Sequence, residues 1–453
     1  MSAPDCIKPD FINHVRRHFD AVADAILAQL HVGEDATINL TAEETLFLRF
    51  NRNQVRQNTD VAQIGIALQL QSNGRTVDHS RTLSGNLATD LAAMTHMLQH
   101  CRAEIAVLPA DPNQVPIKNN GSSDEEFRGA LLGADDIVKA VVDTAQGCDL
   151  AGLYAGGSLI RANCNSKGQR HWFATESFFL DYSIYNGPLA SKGCYAAARW
   201  DPAQWAANLA RSKQLLDLLG KPAQHVAPGQ YRCYLAPRAF SDLLGMLGWH
   251  ALSASAWKQG RSPFKKLAEN EAQLSPLLHI SENFGMGLTP RFNSQGEVSG
   301  QHLPLIEAGQ LKTLLVNSRS AKEYDLQANA ANEAESPRAL DVAPGTLDEK
   351  DILQALGTGL YLSNLHYLNW SDPVSARVTG MTRYACFWVE NGEIVGPIND
   401  LRWDESLYDA LGSKLLALTS FTGIDPAVDT YYHRALGGSR VPGALIEGFT
   451  FTL

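Results

Sequence analysis

Apolar residues at Phe11, Val15, Phe19, Val22, Ile26 and Leu30 recur at steps of three or four, which predicts an amphipathic helix over Asp10 to Leu30. The period then changes to two. Leu46, Leu48 and Phe50 alternate with more polar neighbours, as do Ile64, Ile66, Leu68 and Leu70, so two strands follow. Asn73-Gly74 supplies the positive φ values of a tight turn into a third strand, Thr76 to Leu83. Ser84 or Asn86 can cap the next helix, whose stripe is Leu87, Leu91, Met94, Leu98, Cys101 and Ile105. Residues 109–128 are rich in Pro, Asn, Ser and charge with no apolar period, and read as an exposed crossing loop.

Beyond it the pattern predicts a short helix at Asp135 to Gln146 and a hairpin. Its arms are Leu150 to Ala162 and His171 to Tyr185, turned by Asn165 to Gly168. A helix from Pro202 to Gly220 and a turn at Lys221 to Gly229 carry the chain to a strand at Gln230 to Leu235 and a helix from Pro237 to about Trp257. The remainder alternates short apolar runs with turn residues. Ala385 to Val389 and Glu393 to Val395 are joined through Glu390-Asn391-Gly392, a strong hairpin signal. A matching device, Glu307-Ala308-Gly309, lies between apolar arms over Leu303 to Val316, and the two hairpins read as parts of one sheet. The expected class is α+β: an N-terminal α+β domain over 1–225 and a β-rich C-terminal domain with antiparallel hairpins over 226–453.

Composition narrows the function. A chain of 453 residues exceeds one ordinary core, and 45% hydrophobic with 19% charged residues is that of a folded soluble protein. The net charge of −10 argues against a nucleic-acid footprint, which needs clustered Lys and Arg. Seven scattered cysteines without a CxxC pair, among them Cys6, fit reduced thiols of a cytoplasmic protein. No signal-like N-terminus and no apolar run of about 18 residues occurs, so neither secretion nor membrane spanning is expected.

Several stretches together carry a family resemblance. These are the Glu307–Gly309 hairpin, Gly357-Thr358-Gly359-Leu360-Tyr361-Leu362-Ser363-Asn364-Leu365, Thr379-Gly380, and Trp388 to Val395. The chain resembles the TldD/PmbA family, whose second member is also called TldE, over nearly its whole length. The resemblance implies a metallopeptidase setting in which catalytic members carry His-Glu-x-x-x-His after the strand matching Gln230 to Leu235, and a cysteine ligand near the C-terminus. Histidines so spaced hold Zn²⁺ while the Glu takes a proton from its water. Here Met246 and Leu247 stand at the first His and Glu, and Ala251 at the second His. No carboxylate lies between Met246 and Ala251, and the region Asp429 to Arg434 has no cysteine. No catalytic residue and no cofactor are therefore assigned. His250, one residue from the motif position, and His433 are the metal-ligand candidates of the alternative in which zinc is held at an atypical site.

The pairs His14/His18 and His96/His100 have helical i, i+4 spacing but bring no Glu at the second position, and read as solvated helix faces. There is no Gly-x-Ser-x-Gly elbow, P-loop or dinucleotide fingerprint. Arg383, Trp388 and Trp249 are the candidate substrate-binding residues, able to line a groove for an extended peptide. The plainer alternative pairs Arg383 with Asp400 or Asp404 and buries the tryptophans.

The resemblance thus implies the metal-free partner subunit of a metallopeptidase acting in proteolysis or peptide maturation, with an atypical metallopeptidase and a stand-alone peptide-binding protein as alternatives. The expected partners are peptides and a second subunit, either a copy of itself or a motif-bearing TldD-like chain. Trp370, Trp388 and Trp403 are candidate interface anchors.

Overall fold

The computed structural model describes residues 10–452; Cys6 lies outside them. The first helix, α1 (Phe11–Leu27), starts where Asp10 accepts the backbone N–H of Ile12 and Asn13. Its predicted face, Val15, Phe19, Val22 and Ile26, is buried. Strands β1 (Glu34–Asn51), β2 (Gln54–Ser72) and β3 (Arg75–Leu83) form an antiparallel meander, turned between β2 and β3 by Asn73 and Gly74 at φ +50° and +74°. Helix α2 (Leu87–Ile105) is capped by Asn86. Then come β4 (Ser122–Phe127), α3 (Ala134–Thr144), β5 (Asp149–Asn165), β6 (Arg170–Asn186), β7 (Leu189–Ala197) and α4 (Pro202–Leu219).

The strands make a seven-stranded sheet in the order β3-β2-β1-β5-β6-β4, with β7 also pairing β6. Side chains alternate between the faces of a strand, and the even-numbered apolar positions all point one way. At one end of that face Ile38, Leu40, Ile66, Leu68 and Ile160 pack under α1 and α2. At the other end Leu48, Tyr154, Phe178 and Tyr182 join residues of α3 and α4, including the fully buried Trp205. The odd-numbered face is more polar, with Glu43, Asn163, His171 and Thr175 buried. It is turned to the C-terminal half, where Asn163 donates to the Ser294 carbonyl at 2.8 Å and the His171 ring stacks on Phe292.

The C-terminal half opens with β8 (Gly229–Leu235), α5 (Pro237–Leu244), the short helices α6 (Ala254–Lys258) and α7 (Lys265–Ala268), and strands β9 (Ile280–Asn283), β10 (His302–Glu307) and β11 (Gln310–Leu311). It continues through α8 (Ser318–Tyr324), β12 (Ala339–Val342), α9 (Ile352–Leu356), β13 (Gly359–Leu362), β14 (Asn364–Asp372) and β15 (Arg377–Arg383). It closes with β16 (Phe387–Glu390), β17 (Glu393–Pro397), β18 (Arg402–Ser406), α10 (Leu407–Ala410), β19 (Leu415–Pro426) and β20 (Gly438–Phe451). These strands form one 13-stranded sheet whose main path is β11-β10-β9-β12-β20-β8-β13-β16-β17. The two Glu-x-Gly hairpins therefore share a sheet, as expected, but occupy its opposite ends. Both turn through consecutive left-handed residues, Ala308 and Gly309 at φ +48° and +75°, Asn391 and Gly392 at +51° and +81°. The class is α+β.

Three elements differ from expectation. The loop over 109–128 contains a strand, β4, which runs parallel to β6 at the sheet edge. Its residues Ser122 to Phe127 are mostly exposed, so burial wrote no alternation into them. The helix predicted to about Trp257 ends at Leu244; a 3₁₀ turn spans Gly245–Gly248, and His250 takes a left-handed φ of +71°. The second arm of the 303–316 hairpin is only β11, since Lys312 to Val316 leave the ladder.

Candidate functional site

The stretch aligned with the peptidase motif lies beyond the end of α5, across the 3₁₀ turn, and not on a helix face. Met246 and Leu247 are buried in the core with Leu243 and Phe264, while Trp249 and His250 face outward. His433, in the loop between β19 and β20, is half-buried over the N-terminal sheet beside Glu43 and Gln63. Burial and the nearby Arg161 hold its imidazole below the usual range. Among the described residues neither His250 nor His433 joins two further ligand-type side chains that could close on one ion.

Arg383 is paired with Asp400 at 3.3 Å and lies over the Tyr384 ring. Trp388 is half-buried, edge-on to Tyr231, and its indole N–H donates to Glu390 at 2.7 Å. Trp249 is half exposed, and its carbonyl accepts the Trp370 indole N–H at 3.3 Å. None of the three lines the large cleft described below. Trp403 is fully buried against Phe449 and Gly380, which removes it from the candidate interface anchors. The histidine pairs also separate. His18 is not solvated: it is buried and bonded to Asp90 at 2.9 Å, whereas His14 is exposed. His96 and His100 are both exposed on α2.

A cleft of about 570 Å³ opens where the two halves meet. One wall comes from β7 and α4, with Lys192, Cys194, Asn208 and Arg211. The other comes from the start of α5, the end of β13 and Phe421 to Asp425 of β19. Proline at the first helical position starts α5 directly after β8, and this turn places Arg238 in the cleft. Arg238 pairs with Asp425 and, at 3.3 Å, with Asp242; Ser241 donates its hydroxyl to Asp425 at 2.7 Å. Burial pushes the Asp242 carboxyl up to about 6, with Arg238 and the Leu365 N–H pulling it down. Burial also raises Asp425.

Every cation in this cleft has an acidic partner. Lys192 meets Asp181 at 2.6 Å and Arg211 meets Glu349 at 2.8 Å. Such a surface suits the neutral dipoles of a peptide main chain better than a free phosphate. Cys194 is pushed up to about 12 by burial and so is a thiol at neutral pH, not a nucleophile. Over Thr422 to Asp425, β19 pairs only with β20 among the described residues, leaving one edge free for an added strand. Sequence reasoning missed this site. Its one local signal was Pro237-Arg238 at a strand-to-helix turn, and the remaining walls come from segments about 200 residues apart.

This architecture, a helix-covered N-terminal sheet docked on a large C-terminal sheet, is shared with solved proteins. TldE from Thermococcus kodakarensis superposes with a TM-score of 0.75 at 12% identity, covering 97% of this chain and all of that one (100%). A candidate modulator of a DNA gyrase from Thermotoga maritima gives 0.73 at 16% identity, covering 98% and 100%. A similar candidate modulator from Bacteroides thetaiotaomicron gives 0.72 at 17%, covering 96% and 98%. At these identities the likeness is one of fold. No curated protein sequence matches the chain. Residues 228–453 match the family described as PmbA/TldA metallopeptidase C-terminal domain. The fold and the matched domain define a peptidase-related protein. The chain belongs to the TldD/PmbA family.

Among the described residues no helix is long and apolar enough to cross a membrane, and the six cysteines described are free.

Proposed function

We propose that this chain is the peptide-holding subunit of a TldD/PmbA-type peptidase, without a catalytic metal at the motif positions. The observation that carries the reading is the fate of the motif positions. Met246 and Leu247 are core residues, no carboxylate lies between Met246 and Ala251, and the polypeptide at Gly245–Gly248 is a 3₁₀ turn without helical register. A water-activating base is thus lacking where the family resemblance places it. The cleft at the other end of α5 is open, charge-balanced and bordered by a free strand edge, and it is there that an extended peptide would lie. The chemistry would come from a motif-bearing partner, with this chain completing the chamber; a copy of itself in that place would give a binding form.

The test is peptide hydrolysis by a motif-bearing relative with and without this chain. Greater activity in the mixture, reduced by Asn208→Trp in the cleft wall, is expected. Activity no greater than that of the relative alone argues against a subunit role. Hydrolysis by this chain alone that disappears in His250→Ala would transfer the chemistry to this chain.

A further inference from the structure

At the edge of the N-terminal sheet three ligand-type side chains from two elements converge. Strand β3 places His79 on the same face as the buried Val77, two residues before it, and so towards α2, which folds back over that face. On α2, His100 and Glu104 are one turn apart and lie on the same side of the helix. The His79 Nε2 and Glu104 Oε2 are 2.6 Å apart, and the His79 and His100 rings have centroids 4.9 Å apart. One ligand atom from each of the three lies within 4.8 Å of the other two.

We propose that His79, His100 and Glu104 form a divalent transition-metal site, with Zn²⁺ the ion that best suits them. Two imidazoles and one carboxylate are a borderline donor set preferred by Zn²⁺ and its neighbours over Mg²⁺ or Ca²⁺. Ligand atoms of a tetrahedral zinc, at roughly 2.0–2.1 Å from the metal, stand about 3.3 Å from one another. The three groups reach that spacing by side-chain adjustment alone, because His100 is exposed and His79 and Glu104 are half-exposed. Three ligands leave the fourth position to solvent. The ion would displace the direct His79–Glu104 contact and clamp the edge strand β3 to α2. This edge is opposite the one that carries β7 into the cleft, so the site is separate from the peptide-holding reading.

The experiment titrates Zn²⁺ into the tag-free, chelator-stripped chain by calorimetry, with Co²⁺ absorption as a second readout of a low-symmetry nitrogen and oxygen site. One ion per chain and a rise in melting temperature with Zn²⁺ are expected. His79→Ala, His100→Ala and Glu104→Gln should each weaken binding by at least the roughly tenfold that loss of even an outer partner of a metal ligand costs. His14→Ala, an exposed histidine on α1, should bind as the unsubstituted chain does. Because the three side chains are at the surface, circular dichroism without metal should be unchanged, which separates lost ligation from misfolding. Absence of saturable binding overturns the proposal, as does one-to-one binding that survives in the His79→Ala/His100→Ala double variant.

Discussion

Arg434, in the loop between β19 and β20, donates to the Ser177 carbonyl on β6 at 2.7 Å and to the Ser177 hydroxyl at 2.8 Å, so the last hairpin of the C-terminal sheet is fastened to the N-terminal one. Its own backbone N–H donates to Glu43 on β1 at 3.1 Å, and the guanidinium lies over the Phe179 ring. Burial lowers the guanidinium to about 10, still far above neutral, so Arg434 stays charged. Arg434→Ala would strand the Ser177 carbonyl and leave buried Glu43 without this nearby charge. A loss of roughly 2–4 kcal/mol is expected, read by urea denaturation; a loss within about 0.5 kcal/mol, that of an ordinary surface change, would refute the latch.

Asp242 sets a pH dependence. Its folded pKa, pushed up to about 6 by burial, lies above the ordinary 3.8, so between those values the folded state binds more protons than the unfolded one. Its contribution is complete at low pH and is lost as pH rises through about 6. Asp242→Asn keeps an acceptor for the Leu365 N–H and should flatten this slope, worth at most roughly 2–3 kcal/mol. Melting temperatures taken from pH 4 to 7 check it, and parallel curves for the two proteins would count against the assignment.

Gly380 is matched to Trp403. A Cβ at Gly380 would sit 2.5 Å from the buried indole, across the β15–β18 pair where these two residues face each other. Gly380→Ala must move the ring or the strand, and a cost of about 1–3 kcal/mol is expected. Trp403→Phe in the same background should recover part of it, measured as a double-mutant cycle; strictly additive effects would show that the two do not touch.

Much of the fold was legible because burial writes its period into sequence. The faces of α1 and α2, the alternation in β2 and the Asn-Gly turns all state local requirements that one segment meets by itself. What could not be read depends on distant partners. β4 is polar and held by a single neighbour, and the end of α5 is set by how Met246 and Leu247 pack, since Gly245 and Gly248 alone do not forbid a helix. The cleft was invisible for the same reason: Arg238, Asp425 and Lys192 meet only after both halves have folded. The role of Trp403 was open between surface and core, because the Gly380 that gives its ring room faces it only once β15 and β18 have paired.

The half-exposed Trp249, its neighbour Trp370 and the exposed Tyr367 leave aromatic surface near β14. Self-association through this face, or pairing with a motif-bearing chain, predicts a light-scattering mass above that of one chain at micromolar concentration, reduced by Trp249→Glu. A single-chain mass that does not change on concentration would refute the homodimer.

The middle position in the long path of the C-terminal sheet belongs to β20, which comes after every other strand of that sheet in chain order. During synthesis, β8 and β12 are made well before the strand that joins them, and they stay unpaired with each other until β20 has emerged. The same final hairpin carries Arg434, so the latch on the N-terminal sheet also closes last. A nascent chain that stops short of β20 should therefore have the main path of its C-terminal sheet in two pieces and the latch unmade, and be exposed to chaperones and proteases in that state.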